Sequence, residues 1–347
     1  MTTDTKRDDA HESTLVPAAI AGDERAFTTL TRRYRRELHV HCYRMLASFE
    51  DAEDLVQETF LRAWQKRETC QGRASFRAWL YRIATNACLD FLARQERRVV
   101  EITPRGASTD ETHKVPHVAW LQPYPDRLLE RTASDEGGPD TVLVRKETIE
   151  LGFVVAIQLL PPKQRAVLIL CDVLDWSASE AAALLESSVA AVNAALQRAR
   201  ETLRRFRPVR DTQRSAANDS GDEEWAMLQR YIELTERNDA QGLAQLLRDD
   251  VHFTMPPEPI AVVGRDTVVG SWVEGGFGSP PYNDWKHVVT HANGLPAVVW
   301  YLRRPDSDRH REFAMDVLRL ENGAIAEITA FNVAHLLDAF AIPETLP

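Results

Sequence analysis

Arginines at 73, 77, 82, 94, 97 and 98 interleave with Tyr81, Thr85 and Asn86 in one stretch of the chain. Between them Phe76, Trp79, Leu80, Ile83, Ala84, Ala87 and Phe91 recur at helical spacing and can fill a core. The residues left over suit single-stranded nucleic acid. Guanidiniums follow phosphates, a ring stacks on an unpaired base, and an amide reads its edge. An amphipathic helix whose basic face meets only solvent explains the same pattern.

Just upstream, Ala52, Leu55, Val56, Thr59, Phe60, Ala63 and Trp64 make one apolar helical face. Asp51, Glu53, Asp54, Gln57 and Glu58 lie opposite, with Leu61 among them. Such a face is either a solvated acidic surface or a dock for a basic partner helix. His39, His41 and Cys42 could suggest a metal, but adjacent and i, i+2 positions point to different sides of a helix, so packing is their expected role.

A second basic element lies at 189–206, where Arg198, Arg200, Arg204 and Arg205 crowd a helix and Arg207 its exit. Segments 148–160, 162–173, 178–186 and 189–206 read as four helices. Pro162 suits a first helical position. Ser177 or Ser179 can cap the third helix, and Ser187 or Ser188 the fourth. A short helix, a tight polar turn and a basic-tailed helix is the helix-turn-helix pattern, with the arginines where phosphates would run.

The last third turns from helix (225–247) to strand. Asn293-Gly294 and Asn322-Gly323 sit between β-rich runs and predict two hairpins, because both turn residues tolerate positive φ. His252, Met255, Trp272, Trp300, Tyr301, Phe313, Asp316 and Phe331 are candidates for a pocket. A His and an Asp could form an acid/base pair, but within alternating strands they are expected to be structural, and no catalytic residue is assigned.

These elements belong to a chain of 347 residues, which is two or three domains' worth. Its net charge of −10 is uneven. From Ala216 onward there are 10 basic and 21 acidic residues, and the remainder has 32 and 31. The acidity therefore belongs to the last third, and asymmetry of this kind points to different partners. No apolar run nears the ~18 residues of a membrane span. Residues 1–13 are polar and lack a signal-peptide core. The four cysteines are scattered without a C-x-x-C, which argues against a disulfide scaffold or a structural zinc site. Reducing cytoplasm is the expected compartment. Residues 100–139 and 208–224, polar and without helical period, read as linkers.

Residues 37–45, 51–64 (Asp-Ala-Glu-Asp-Leu-Val-Gln-Glu-Thr-Phe-Leu-Arg-Ala-Trp) and 79–90 (Trp-Leu-Tyr-Arg-Ile-Ala-Thr-Asn-Ala-Cys-Leu-Asp) resemble region 2 of bacterial sigma-70-family factors, closest to the small extracytoplasmic-function (ECF) group. Residues 160–168 and 190–200 resemble region 4 of that family. The resemblance implies that Asp51, Glu53, Asp54, Gln57, Glu58 and Leu61 dock on the β′ clamp helices of core RNA polymerase, whose β subunit is a further partner. It implies that Arg73, Arg77, Tyr81, Arg82, Thr85, Asn86 and Arg94 bind and open the −10 promoter element. Ser188, Ala190, Asn193, Ala194, Gln197, Arg198 and Arg200 would read the −35 element. Many relatives carry Arg or Lys at base-reading positions where this chain has Asn193, Ala194, Ala195 and Gln197, so its −35 sequence need not be the usual one. Asn and Gln can pair bidentately with adenine, and Ala can touch a thymine methyl.

Residues 238–256 and 321–328 are similar to SnoaL-like domains, curved sheets with helices around a conical pocket; a subgroup of ECF factors carries such a domain, and residues 120–125 (Trp-Leu-Gln-Pro-Tyr-Pro) resemble a linker motif of that subgroup. His252, Met255, Trp272, Trp300, Phe313 and Asp316 would then face a candidate ligand pocket. The expected architecture is multidomain: an all-α region 2 (15–99), a linker (100–140), an all-α region 4 helix-turn-helix (141–207), a linker (208–222) and an α+β cone (223–342). The expected role is a non-catalytic initiation factor that binds core polymerase and promoter DNA, without metal, cofactor or membrane, its activity modulated by the last domain, which could bind a small ligand. The alternative is a one-component helix-turn-helix factor with a ligand sensor, which leaves the 51–64 helix unexplained.

Overall fold

The computed structural model describes residues 14–70, 76–95, 97–107, 114–129, 149–206, 220–305 and 307–347. The chain forms two compact units. One comprises residues 1–98, 128–148 and 152–208, and the other 99–127, 149–151 and 209–347.

In the first unit, α1 (Glu24–Leu46) starts at Asp23, whose carboxylate accepts the amides of Arg25 and Ala26, and ends at Ala47 in the left-handed region. Phe27, Leu30, Tyr34, Leu38, Cys42 and Met45 repeat every three to four residues, and all are buried. Ser48 caps α2 (Phe49–Gln65), which buries Ala52, Leu55, Val56, Thr59 and Ala63, the face its periodicity predicts. The third helix, α3 (Phe76–Arg94), completes the bundle. Phe27 meets Trp64 with ring centroids 5.0 Å apart, and Tyr34 meets Phe76 at 5.6 Å.

Four more helices follow: α4 (Leu151–Gln158), α5 (Pro162–Leu168), α6 (Ala178–Leu184) and α7 (Val189–Phe206). The helix expected to run to 173 ends at Leu168 and continues as a π-turn over Ile169–Val173. Pro162 is at the start of α5, and Ser177 forms a capping box with Glu180 on α6. The Ser188 hydroxyl accepts the Ala191 amide at 3.1 Å and caps α7.

In the second unit, α8 (Ser220–Glu236), α9 (Ala240–Leu246) and α10 (Arg265–Glu274) accompany a seven-stranded sheet. Its strands, numbered after the two described next, are β3 (Leu247–Thr254), β4 (Ala261–Val263), β5 (Trp285–Ala292), β6 (Leu295–Arg303), β7 (His310–Glu321), β8 (Ala324–Phe331) and β9 (Thr345–Leu346). The order is β4-β3-β8-β7-β6-β5, with β9 on β7 and β3 parallel to β8. Both Asn-Gly turns form: Asn293 and Gly294 have φ of 57° and 75°, and Asn322 and Gly323 have 53° and 72°. Leu228, Tyr231 and Ile232 of α8 pack with Val251, Val298, Trp300, Leu318 and Ile328 in one core. Burying side chains of this size contributes about 1.5–3 kcal/mol each.

The expected free linker at 100–140 is different. Residues 99–127 belong to the second unit. β1 (Val100–Ile102) and β2 (Val115–His117) pair antiparallel. The Arg105 backbone bonds to Ala261 and Val263, and its guanidinium makes a bidentate pair with Glu274. Gly106 passes so close that a Cβ there would lie 2.4 Å from the Val263 carbonyl oxygen. The reason is backbone chemistry. The β4 edge and the 293–294 turn offer unpaired polar groups, and this segment satisfies them.

Candidate nucleic-acid and partner interfaces

The acidic face of α2 is partly neutralised within the unit. Asp51 pairs with Arg97 at 2.6 Å, Glu53 with Arg35, and Glu58 with Arg62 at 2.6 Å. Asp54 and Gln57 face solvent, and Leu61 is 64% exposed. Phe27, Phe60, Leu61 and Trp64 line an open groove of about 400 Å³ with Arg35 and Gln57 at its polar margin. Of the residues expected to dock, Gln57 and Leu61 line this groove, and Asp54 is exposed on the same helix. Phe27, from a different helix, was not a sequence candidate; its distance along the chain hid it.

On α3 the structure divides the expected −10 residues. Arg73 lies outside the described residues. Tyr81 is 1% exposed, so it cannot stack on a base as it stands. Its hydroxyl donates to Glu37 at 3.4 Å, and its ring sits 5.0 Å from His41. Burial, with the Glu37 charge, pushes its hydroxyl pKa up. Thr85 is 0% exposed and bonds His41 Nε2 at 2.9 Å; it is a core residue rather than a DNA contact. Helical spacing could not separate these inner positions from outer ones on a helix buried on two sides. Arg77 is exposed but held by Glu37 at 2.9 Å, and it stacks on Tyr81. Arg82, Asn86 and Arg94 remain at least partly accessible, beside half-buried Trp79. Burial, with Arg44 and Arg77 nearby, holds His41 down at about 3, and burial beside Arg35 holds His39 at about 4. Both rings are neutral packing groups.

The helix-turn-helix presents α7 openly. Ala190, Asn193 and Gln197 fall at i, i+3 and i+7 and are exposed, as are Ser188 and Arg198, while Val192 and Ala199 face the core. Ala194 is half-buried. Arg200 departs from expectation. Its guanidinium makes a bidentate pair with Asp172 at 2.9 and 2.6 Å, which ties α7 to the π-turn instead of leaving a free phosphate contact.

In the sheet domain, three of the six candidate pocket residues converge. Trp300 Nε1 donates to Asp316 Oδ2 at 2.7 Å, and the Tyr231 hydroxyl donates to the same oxygen at 2.9 Å. Burial pushes the Asp316 carboxyl up to about 6, against the pull of both donors. Trp285 bridges Trp300 (6.3 Å) and Phe313 (5.3 Å), which is 47% exposed. Trp272 packs on Phe253 at 6.0 Å. Phe253 packs on the core, so its strand neighbour His252 lies on the opposite face and does not join Asp316. Met255 is half-buried just beyond β3. Tyr231 and Trp285 were missed; the alternation of Trp285, His287 and Val289 was the available signal.

The geometry defines a class: a helical bundle with an open apolar groove, a helix-turn-helix and an α+β domain. Residues 30–98 match the family described as Sigma-70 region 2, 152–203 match Sigma-70, region 4, and 228–328 match the SnoaL-like domain. The ECF RNA polymerase sigma factor SigG of Mycobacterium tuberculosis is 38% identical over 331 residues, covering 93% of this chain and 86% of that one. SigW of Bacillus subtilis is 29% identical over 186 residues, covering 53% of this chain and 90% of that one. The crystal structure of M. tuberculosis SigJ, an extracytoplasmic function sigma factor, shares the fold with a TM-score of 0.57 and 20% identity, covering 91% of this chain and 99% of that one. The chain belongs to the ECF RNA polymerase sigma factors of the sigma-70 family, in a form that carries a SnoaL-like domain.

Proposed function

We propose that this sigma factor docks on core RNA polymerase through the α2 groove, with Leu61 entering the partner surface and Asp54 and Gln57 at the rim. It is a non-catalytic subunit that directs promoter-specific initiation. Arg82, Asn86 and Arg94 of α3 meet the −10 element, and Asn193 and Gln197 of α7 read the −35 element. Its place of action is the cytoplasm, with the polymerase; no described helix is long and apolar enough to cross a membrane. The observation that carries the docking assignment is Leu61, a large apolar side chain left in water on the rim of an apolar groove.

The SnoaL-like domain modulates this activity through residues 99–127, which connect regions 2 and 4 and belong to its unit. Run-off transcription with core polymerase tests the whole reading. Wild-type chain supports promoter-dependent transcripts, and Leu61→Glu does not. A chain truncated after Arg207 gives an altered transcript yield. An unchanged yield defeats the modulatory role, and no transcript from the wild type on any genomic promoter defeats the sigma role.

A further inference from the structure

The helix-turn-helix keeps its cations away from the surface that meets bases. From Ala166 to Gln197 the chain holds no lysine or arginine, while Asp172, Asp175, Glu180 and Glu186 fall within that span. It takes in the π-turn, α6, the tight turn and the first half of α7. The last cation before it, Arg165 of α5, is buried and donates to the carbonyls of Ile157, Gln158 and Leu160 at the end of α4 and of Met45 at the end of α1. The first cation after it is Arg198, and the next, Arg200, is held by Asp172. The commonest specific contact to a G·C pair is a bidentate arginine or lysine on the guanine edge. A recognition helix reads base edges with its N-terminal residues, and this one carries no cation there.

What the helix presents instead is methyl groups and amides. Val189, the first residue of α7, is 45% exposed, and it continues into Ala190 and Ala191, both exposed. Val192 is buried, so the core face of the helix is a separate one. At position 189 valine contributes little to the fold: its side chain is largely in water, and a β-branched residue is a poorer helix former than the alanines beside it. Val189, Asn193 and Gln197 fall at i, i+4 and i+8, a stripe of neighbours about 6 Å apart. An asparagine or glutamine amide matches the N6 and N7 groups of adenine. The valine methyls match the 5-methyl group of thymine, which no other base carries in the major groove.

We propose that this factor reads its −35 element as A·T pairs, and that Val189 is a specificity-determining residue that selects one thymine by its 5-methyl group. The proposal rests on the assignment of α7 to the −35 element above and deepens it by naming the base composition and a further reader. Burial of a single methyl group against Val189 is worth about fourfold in affinity. Serine at 189 presents no methyl and forfeits that factor.

The test uses holoenzyme assembled from core polymerase and the full-length chain. Wild-type holoenzyme first selects promoters from a genomic fragment library, which yields the −35 element. One selected promoter is then synthesised with deoxyuridine for thymine at a single −35 position at a time, a change that removes only the 5-methyl group. Competition binding compares these duplexes for wild type, Val189→Ser and Val189→Thr. The selected element is expected to be dominated by A·T pairs. At one thymine, deoxyuridine weakens the wild type about fourfold, while Val189→Ser binds both duplexes equally within about 1.5-fold. Val189→Thr keeps one methyl and loses part of the discrimination, so it carries the comparison if the serine variant fails to fold. A G·C-dominated element, deoxyuridine tolerated at every −35 thymine by wild type, or a penalty undiminished in the folded variants overturns the proposal. In each case the assignment of α7 stands if Asn193→Ala or Gln197→Ala still relaxes base preference. If neither does, or no −35 sequence is selected, that assignment falls and the proposal falls with it.

Discussion

Asn293 and Tyr124 lie 169 residues apart and exchange two hydrogen bonds: the Tyr124 amide donates to Asn293 Oδ1 at 2.7 Å, and the Asn293 amide donates to the Tyr124 carbonyl at 2.9 Å. The Asn293 side-chain amide also donates to the Ile149 carbonyl at 2.7 Å, and the Gly294 amide donates to Asp126 at 2.8 Å. One hairpin turn thus holds two points, 124–126 and 149, of the chain between regions 2 and 4. Asn293→Ala leaves the buried Tyr124 amide and Ile149 carbonyl without these partners, at about 2–4 kcal/mol for the pair. Urea unfolding of the full chain should show that loss, and hydrogen exchange should show faster exchange across 114–127. Unchanged protection there would mean the turn does not hold the segment.

Asp316 makes stability depend on pH. Its folded pKa of about 6 lies above the ordinary 3.8. Its protonated form therefore stabilises the fold fully below pH 3.8, and that contribution is lost as pH rises to about 6. Asp316→Asn keeps acceptors for Trp300 and Tyr231 without the buried charge. The variant should match wild type near pH 3.5 and exceed it by on the order of 2–3 kcal/mol at pH 7. Chemical denaturation of both proteins across this range checks it.

Thr85 separates a structural role from a DNA role. Thr85→Val keeps the shape and removes the partner of His41 Nε2. It should cost about 1–3 kcal/mol in unfolding free energy and leave promoter affinity per folded molecule unchanged. His41 adds an acid limit, because its depressed pKa supplies stability above pH 6.5 that is lost as pH falls toward 3.

Leu61→Ala should weaken binding to core polymerase at least tenfold, about 1.4 kcal/mol or more, without lowering the melting temperature, since its side chain is largely in water. Competition against a labelled sigma factor for core polymerase measures the first, and thermal unfolding the second.

On the recognition helix, two kinds of contact should respond differently. Asn193→Ala or Gln197→Ala should cost about 1–3 kcal/mol at a cognate −35 site and relax base preference at one position. Arg198→Ala should weaken all sequences alike and lower the salt slope by about one. Binding to single-position site variants at several salt concentrations distinguishes them.

Local physics made much of this protein legible from its residues. The apolar period marked the buried face of α2, Pro162, Ser177 and Ser188 marked helix starts, and the two Asn-Gly pairs marked turns, because each effect acts within a few residues. The exposed stripe of Asn193 and Gln197 followed in the same way. What faces inward is decided by neighbours far along the chain. Tyr81 and Thr85 are interior because α1 brings Glu37 and His41 against them. Arg200 is occupied because the π-turn places Asp172 beneath its fork. His252 and Asp316 part because the sheet buries the face that carries Phe253. The segment around Tyr124 looked like a free linker because its hydrogen-bond partners lie 169 residues away, and Arg165 gave no sign of burial because helix ends from two regions must first meet to solvate it. Pairings of this kind leave no period and no cap in the sequence; they exist only once the loops between them have closed.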